Sequence, residues 1–188
     1  MTMLEEETLR ASFREVMADV ATAVTVVTSA VGDTPHGTTV SAFTSLSMSP
    51  PMVLVALDRS SGLLRVIREA EAFGVNILGR HQARHGLAFA RKGGAEKFDG
   101  VPWSLEHDLP RLAHAPGWIA CEADRFVVGG DHIVVFGRVL AAEAAGGGPL
   151  TYHARTFGTH RPVTIPVAEP ADAWDDDSEF MRLAHGLG

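Results

Sequence analysis

Hydrophobic residues near the start of the chain form two different patterns. Within Leu4 to Val20 the apolar residues have helical spacing, which predicts a helix with one buried face; they are Leu9, Phe13, Val16, Met17 and Val20. The next apolar run, Val24–Ser29 (VTVVTS), is rich in β-branched residues and leads into the turn-forming tetrapeptide Gly32-Asp33-Thr34-Pro35. This arrangement predicts a strand that enters a β-hairpin.

Hydroxyl side chains dominate the second arm of that hairpin, Gly37–Ser49 (GTTVSAFTSLSMS), where seven of thirteen residues are Ser or Thr. In a single strand, residues of one parity share one face, and hydrophobic residues occupy the other. The residues on the hydroxyl face would be Thr39, Ser41, Phe43, Ser45, Ser47 and Ser49. Such a face is typical either of a solvated edge strand or of a partly apolar cofactor pocket, and Phe43 favours the pocket.

Further apolar runs complete a predicted architecture that is mainly β. Helices are predicted after Ser60 or Ser61 and over His81–Ala90. Strands are predicted at Met52–Leu57, Phe73–Leu78, Gly117–Val128, His132–Glu143 and Leu150–Thr156. Six or seven strands with few helices between them predict an antiparallel barrel with peripheral helices. The helical segments are too few for a doubly wound sheet, and no Gly-x-Gly-x-x-Gly motif follows the first strand.

Composition and charge narrow the function classes. The 188 residues carry 16 Lys and Arg against 23 Asp and Glu, a formal charge of −7, which argues against a nucleic-acid surface. The single cysteine, Cys121, lies in an apolar run and excludes an internal disulfide or a cysteine-based zinc cluster. No run reaches the roughly 18 apolar residues of a membrane span, and the acidic N-terminus does not have the pattern of a signal peptide. We therefore expect a cytoplasmic protein without membrane association, with one domain over residues 1–160 and a tail or arm over residues 161–188.

A polar turn after the buried strand Met52–Leu57 is a candidate anion site. The sequence Asp58-Arg59-Ser60-Ser61-Gly62 joins that strand to a helix, whose N-terminus offers unpaired N–H groups and the positive end of a dipole. Simple N-capping by a serine is the alternative. Arg91 and Lys92, at the end of the next helix, would add positive charge to the same anion or complement their own helix end.

His132 follows a glycine-rich turn, Gly129-Gly130-Asp131, and opens the strand IVVFGRV. Such a turn is able to present a ligand-facing imidazole, and a purely structural role at the strand end is the alternative. The sequence contains neither a nucleophile elbow nor a P-loop, and none of its nine histidines forms the His-Glu-x-x-His pattern of a zinc protease.

In their order along the chain, these motifs resemble those of the flavin reductase family, the reductase components of two-component flavin-dependent monooxygenases. The chain reads VTVVT, GTTVSAFTSLSMSPP, DRSS, FGVNIL, FARK, KFDGVPW, GDHIVVFGRV and PLTY, over about residues 21–157. The resemblance implies an FMN-binding split β-barrel, mainly antiparallel, with FMN or FAD bound at the interface of a homodimer. It also implies NADH or NADPH as the hydride donor, and a flavin-dependent oxygenase as the partner that receives reduced flavin.

The resemblance further implies which residues of this chain meet the cofactors. Those expected at the flavin, in chain order, are Thr39, Val40, Ser41, Ser45, Asp58, Ser60, Ser61, Asn76, Arg91 and Lys92. Thr39, Val40 and Ser41 would meet the flavin ring, with Ser45 nearby. Asp58, Ser60 and Ser61 would lie along the ribityl chain and phosphate, and Arg91 or Lys92 would offset the phosphate charge. Asn76 is expected near the same cofactor, and His132 is expected to border the nicotinamide.

Hydride transfer from a nicotinamide to a flavin needs no side-chain nucleophile and no strong general base, because it depends on holding the two rings in contact. The lack of catalytic triads in the sequence therefore agrees with the resemblance. Three other interpretations stay open: a non-catalytic flavin- or haem-binding split-barrel protein, a pyridoxamine-phosphate oxidase relative, and an interaction module that uses the acidic tail. The second would need more basic residues for its two phosphates, and the third leaves the Ser and Thr pattern unexplained.

Overall fold

The computed structural model describes residues 2–163, which form three α-helices, one short 3₁₀ helix and twelve strands. The helices are α1 (Met3–Ala18), α2 (Gly62–Ala70) and α3 (Ala83–Ala90), and the 3₁₀ helix covers Ala95–Phe98. The strands are β1 (Thr22–Ala23), β2 (Thr25–Val31), β3 (Thr34–Val40), β4 (Phe43–Met48), β5 (Pro51–Asp58), β6 (Ala72–Ile77), β7 (Trp103–Glu106), β8 (Leu109–Leu112), β9 (Gly117–Gly129), β10 (His132–Ala144), β11 (Leu150–His153) and β12 (Thr156–Thr159). Met1 and residues 164–188, which include most of the predicted tail 161–188, lie outside the described part of the chain.

Seven antiparallel strands form the main sheet, in the order β3-β2-β6-β9-β10-β5-β4. The two edge strands, β3 and β4, are consecutive in the chain and are joined by only Ser41 and Ala42. Because so short a link spans at most roughly 11 Å, the two edges approach each other and the sheet curls into a barrel. The predicted fold class, mainly antiparallel β with peripheral helices, is confirmed.

The barrel interior holds the main hydrophobic core. Its wall is made by residues of six strands, which are Val27, Val40, Val53, Val55, Leu57, Phe73, Val75, Cys121, Ile133 and Val135. Leu63, Leu64 and Ile67 of α2 pack into the same cluster, as their helical spacing predicts. Each such side chain contributes about 1.5–3 kcal/mol by leaving water, and together they fix α2 against the barrel.

A second core cluster lies between the outside of the barrel and its coverings, α3, the 3₁₀ helix and the β7–β8 hairpin. Its buried members are Val24, Val26, Leu78, Phe89, Phe98, Val101, Leu112 and Leu150. Val26 faces this outer cluster while its neighbour Val27 faces the barrel interior. Burial on both faces explains why β2 is a continuous β-branched run rather than an alternating strand.

The segment Gly37–Ser49 is two strands rather than the one strand that its hydroxyl pattern predicts. Its first residues belong to β3 and its last to β4 at the opposite edge of the sheet, and the register shifts again between Ser45 and Ser47. A continuous hydroxyl face is therefore not formed. Phe43 packs against the barrel core instead of standing in a row of hydroxyls.

Two further elements differ from prediction. Helix α1 forms, but its predicted buried face is exposed: Phe13 is 62% and Val16 is 64% accessible. The predicted strand Leu150–Thr156 is the β11–β12 hairpin, which turns at Ala154-Arg155. Within residues 2–163, no helix has both the length and the apolar character needed to cross a membrane.

Candidate functional site

Three strand ends that carry predicted site residues meet where β3 passes over to β4. The N–H of Ala56 donates to the carbonyl of Ala42 at 2.9 Å, which places the neighbouring Ser41 beside the end of β5. Two residues further along β5, Asp58 lies opposite His132 of β10. Residues that are far apart in the sequence are therefore neighbours across the sheet.

A cavity of about 590 Å³ opens beside Ser41, between the end of β3, helix α3 and the β11–β12 hairpin. We call it the ring cavity. Its lining residues are Val24, Thr39, Val40, Ser41, Gly86, Leu87, Ala90, Tyr152, Arg155, Thr156 and Phe157. The volume lies within the range of about 300–1,000 Å³ that ligand pockets occupy, and the mixture of apolar walls with a few polar groups suits a flat ring with polar edges.

The structure brings Thr39, Val40 and Ser41 together in this lining, but their polar groups differ in availability. Thr39 Oγ1 donates to the carbonyl of Gly86 at 2.6 Å, so this hydroxyl ties α3 to β3. The carbonyl of Val40 accepts from Thr25 Oγ1 at 2.7 Å. Ser41 is exposed, and its hydroxyl makes no hydrogen bond within residues 2–163. Of the three side chains, only that of Ser41 therefore offers an unengaged donor.

The turn after β5 is organised by a carboxylate. Asp58 Oδ1 accepts from the backbone N of Ser60 at 2.7 Å and from its Oγ at 2.6 Å, and these hydrogen bonds hold the pKa of Asp58 below its usual value. Ser61 occupies the N-cap position of α2, yet its side chain caps no backbone N–H. The simple N-capping alternative is thus not realised, and the first turn of α2 keeps donors for a ligand. A carboxylate repels a phosphate group but accepts hydrogen bonds from hydroxyl groups. Asp58 therefore suits a part of the ligand that carries hydroxyls.

His132 is held by its own neighbour. Its Nδ1 lies 2.7 Å from Asp131 Oδ1, and this contact lowers the pKa of Asp131. A neutral imidazole in this arrangement carries its proton on Nδ1 and presents Nε2 as an acceptor. The side chain is 44% accessible, so a ligand is able to reach the ring.

Arg91 and Lys92 follow the last residue of α3. Ala90 lines the ring cavity, and the two basic side chains after it are exposed at its rim. Neither forms an ion pair with any residue in the described range 2–163, so both charges are available to an anion.

Two predicted residues lie apart from this group. Ser45 is exposed on edge strand β4, opposite Val53, and does not line the ring cavity. Asn76 is fully buried: its Nδ2 donates to the carbonyl of Val26 at 3.2 Å, and its Oδ1 accepts from the N–H of Leu112 at 2.7 Å. Asn76 thus fastens the β7–β8 hairpin to the barrel, and its expected cofactor contact stays a prediction.

One wall of the cavity was not predicted from the sequence. Tyr152, Arg155 and Phe157 supply it from the β11–β12 hairpin. Ala154 and Arg155 form a two-residue turn with φ of 47° and 61°, the left-handed geometry that Asn-Gly usually occupies. Arg155 Nη2 lies 2.6 Å from Glu15 Oε1 of α1. The PLTY motif indicated a strand here, but only the tertiary fold places its side chains opposite β3.

Comparisons with known proteins identify the family of this chain. A family model described as the flavin reductase like domain matches residues 17–161. The reductase component of a 4-nitrophenol 4-monooxygenase/4-nitrocatechol 2-monooxygenase from Rhodococcus opacus is 41% identical over 149 residues, covering 79% of this chain and 80% of that protein.

Solved structures with the same fold include two flavin reductases. The flavin reductase component of a bacterial two-component tryptophan halogenase, BorF, superposes with a TM-score of 0.74 at 33% identity, covering 80% of this chain and 97% of that one. The Streptomyces globisporus NADH:FAD oxidoreductase SgcE6, in complex with NAD and FAD fragments, gives a TM-score of 0.74 at 30% identity, covering 85% and 95%. With the family model matching most of its length, the chain belongs to the flavin reductase like domain family.

Proposed function

We propose that this protein is an NAD(P)H:flavin oxidoreductase that reduces FMN or FAD and supplies the reduced flavin to a partner monooxygenase. The observation that carries the proposal is that Ser41 lines the ring cavity and lies beside the end of β5, where Asp58 pairs with His132 across the sheet. Family membership and relatives that are themselves named as reductase components support it.

The residues present fit a flavin. The isoalloxazine ring suits the ring cavity, where Val40 and Leu87 offer apolar contacts and the Ser41 hydroxyl offers a hydrogen bond to a ring edge. The ribityl hydroxyls suit the Asp58 carboxylate. The phosphate suits the Ser60-Ser61 turn at the start of α2, because the Ser61 hydroxyl and the unpaired N–H groups there are donors, while the Ser60 hydroxyl donates to Asp58 and holds the turn in place. Arg91 and Lys92 then offset its charge, as the sequence predicts.

A bound flavin supplies the electron chemistry by accepting a hydride from a reduced nicotinamide. The chain's own residues bind and orient. His132, fixed through Nδ1 by Asp131, presents Nε2 to the carboxamide N–H of the nicotinamide, which aligns that ring without moving a proton. Since Asp58 lies opposite His132 in the sheet, the nicotinamide position and the flavin ribityl position are held at a fixed separation.

The proposal includes a homodimer. Helix α1 is tied to the rest of the described chain by the Arg155–Glu15 pair and by the hydrogen bond from the Ala154 N–H to the Ala18 carbonyl, both at its C-terminal end. Its apolar stripe, Leu9, Phe13, Val16, Met17 and Val20, is exposed to water. A second copy would cover this stripe and complete each flavin site.

Consumption of NADH and NADPH, measured with FMN, FAD, riboflavin and no flavin, tests the function. We expect rapid consumption that depends on added flavin and needs no aromatic substrate. A non-catalytic flavin-binding or haem-binding protein, the other candidate, would bind its ligand with a shifted spectrum but would leave the nicotinamide unoxidised.

A further inference from the structure

A second cavity, of about 580 Å³, lies between α2 and the start of β3. We call it the α2 groove. It is lined by Val31, Thr34, Pro35, His36, Gly62, Arg65, Val66, Glu69, Gly93, Gly94 and Ala95. It shares no lining residue with the ring cavity, so it is a separate place for a ligand.

The end of the groove nearest the start of α2 is positively charged. Arg65 is exposed and forms no ion pair with another residue between positions 2 and 163. Lys97 lies beside His36, and its Nζ donates to the carbonyls of Gly37 at 3.1 Å and Phe89 at 3.3 Å. Two carbonyls do not neutralise an ammonium group, and partial burial lowers the pKa of Lys97. An anion at this end would gain mainly from Arg65, which lines the groove; Lys97 is not part of the lining, and the nearby Glu96 carboxylate offsets part of its charge.

His36 lines the same end of the groove. Its Nδ1 is buried and has no hydrogen-bond partner among the described residues. The ring abuts the start of α2 so closely that a Cβ added to Gly62 would lie 2.9 Å from His36 Nε2. Burial, with Lys97 and Arg65 nearby, lowers the pKa of His36, while Glu96 raises it. Glu96 itself is held by the N–H of Gly94 at 2.9 Å.

The opposite end of the groove has a different character. Val31, Pro35 and Val66 line it with apolar surface, and Glu69 adds a carboxylate. Carboxylates in nucleotide sites accept hydrogen bonds from ribose hydroxyls. From Gly62 to Glu69 the helix rises about 10 Å, so the groove presents cations first, then an apolar wall and a hydroxyl acceptor.

We propose that the α2 groove binds the adenosine 5′-phosphate half of FAD, and that this protein therefore prefers FAD to FMN. The inference rests on the proposed function, because the groove begins at Gly62, the residue after the Ser60-Ser61 pair assigned to the first flavin phosphate. The second phosphate lies at Arg65 and His36, the adenine against Val31 and Val66, and its ribose hydroxyls near Glu69. FMN ends before the groove and leaves it empty.

The 2′-phosphate of NADPH is a second source of the same phosphate chemistry. Glu69 disfavours it, because a carboxylate next to the ribose repels a phosphate on the 2′ position. The experiment therefore needs one arm for the flavin and one for the nicotinamide.

Dissociation constants for FAD and FMN, measured from quenching of flavin fluorescence with the full chain, test the proposal. The informative variant is Arg65→Gln, and the matched control is Arg68→Gln, on the same helix but stacked over Phe126 outside the groove. We expect the unmodified protein to bind FAD about tenfold more tightly than FMN. Arg65→Gln should weaken FAD binding by about tenfold and FMN binding by less than about twofold, since a hydrogen bond to a charged group is lost only with FAD. Arg68→Gln should change neither.

Equal affinities for FAD and FMN, or an equal loss of both in Arg65→Gln, would overturn the proposal. So would a rise in the KM for NADPH but not NADH in Arg65→Gln with FAD affinity intact, which would assign the groove to the nicotinamide. These results are separable from a failure of the proposed function, in which no flavin is reduced at all, because flavin binding is measured without turnover.

Discussion

His132 of β10 lies directly opposite Asp58 of β5, at the last paired position of the two strands. The turns beyond them are also joined, because the N–H of Arg59 donates to the carbonyl of Asp131 at 3.1 Å. An imidazole and a carboxylate from distant parts of the chain are thereby fixed at one corner of the barrel. On our account, this corner sets the distance between nicotinamide and flavin.

The first prediction concerns His132. Because its Nε2 aligns the nicotinamide, His132→Ala should lower kcat/KM for the reduced nicotinamide by about tenfold or more, the equivalent of about 1–2 kcal/mol of lost transition-state stabilisation. The dissociation constant of flavin should change little. Steady-state kinetics with saturating flavin, together with a flavin titration, measure both.

Asp131→Asn serves as the companion variant, because it keeps the size of the side chain that holds His132 Nδ1 but removes its charge. It should give a smaller loss of kcat/KM than His132→Ala. If His132→Ala weakens flavin binding while turnover per bound flavin survives, His132 supports the flavin site and its assignment to the nicotinamide is wrong.

The second prediction concerns the packing of the barrel interior. A Cβ on Gly137 of β10 would collide with the ring of Phe73 and would lie 2.9 Å from Cys121 Cβ. Gly137→Ala should therefore lower the free energy of unfolding by about 2 kcal/mol or more. Gly129→Ala, whose added Cβ would meet Val134 Cγ2 only at 3.7 Å, is the control. Urea unfolding of both variants measures this difference in stability, and equal midpoints for the two would contradict the close packing at Gly137.

The third prediction is a loss of stability in weak acid. Burial is the main cause that holds the pKa values of His36 and His85 below 6.5, and each has a buried Nδ1 without a partner in residues 2–163. The unfolded chain then binds protons more tightly than the folded chain, so stability is full above about pH 6.5 and falls as the pH drops below it.

Urea midpoints at about pH 7.5 and pH 5.5 measure this loss. The double variant His36→Gln and His85→Gln should show a smaller decrease between the two pH values. His153→Gln, at an exposed position of β11, should keep the decrease of the unmodified protein. If the urea midpoint falls by the same amount in the double variant as in the unmodified protein, the prediction is wrong.

The fourth prediction concerns helix α1. Phe13 is 62% accessible in the apolar stripe that we assign to the dimer contact, so Phe13→Glu should shift the protein towards a monomer and reduce flavin affinity. Ala11→Glu introduces the same charge on the opposite side of the helix and should leave the dimer intact. Sedimentation velocity at micromolar concentration compares the two. An unmodified protein that is monomeric and fully active would defeat the homodimer.

The sequence predicted the parts of the fold that local pattern controls. The β-branched run of β2, the stripe of α2 and the turn before His132 depend on nearest neighbours, and each lies where predicted. The prediction of one continuous hydroxyl strand was wrong, because closure of the barrel divides this segment at Ser41-Ala42 into the two edge strands β3 and β4.

The same distinction holds for the site. Asp58, Ser61 and His132 sit at the strand and helix ends that local signals mark, and the structure brings them to one side of the barrel. Arg155 could not be predicted, because its place in the ring cavity depends on how the β11–β12 hairpin folds back towards β3. Asn76 carries no local signal of its structural role, since its partners are the distant backbone groups of Val26 and Leu112.

The proposed activity is the transfer of hydride from a nicotinamide to a flavin by this protein without an oxygenase component. Its most direct test is anaerobic mixing of reduced nicotinamide with excess flavin and a catalytic amount of the protein, followed by the absorbance of oxidised flavin. We predict that many equivalents of flavin are bleached per chain, without any aromatic substrate or oxygenase present. Flavin that stays oxidised with FMN, FAD and riboflavin, with both NADH and NADPH, would contradict the account.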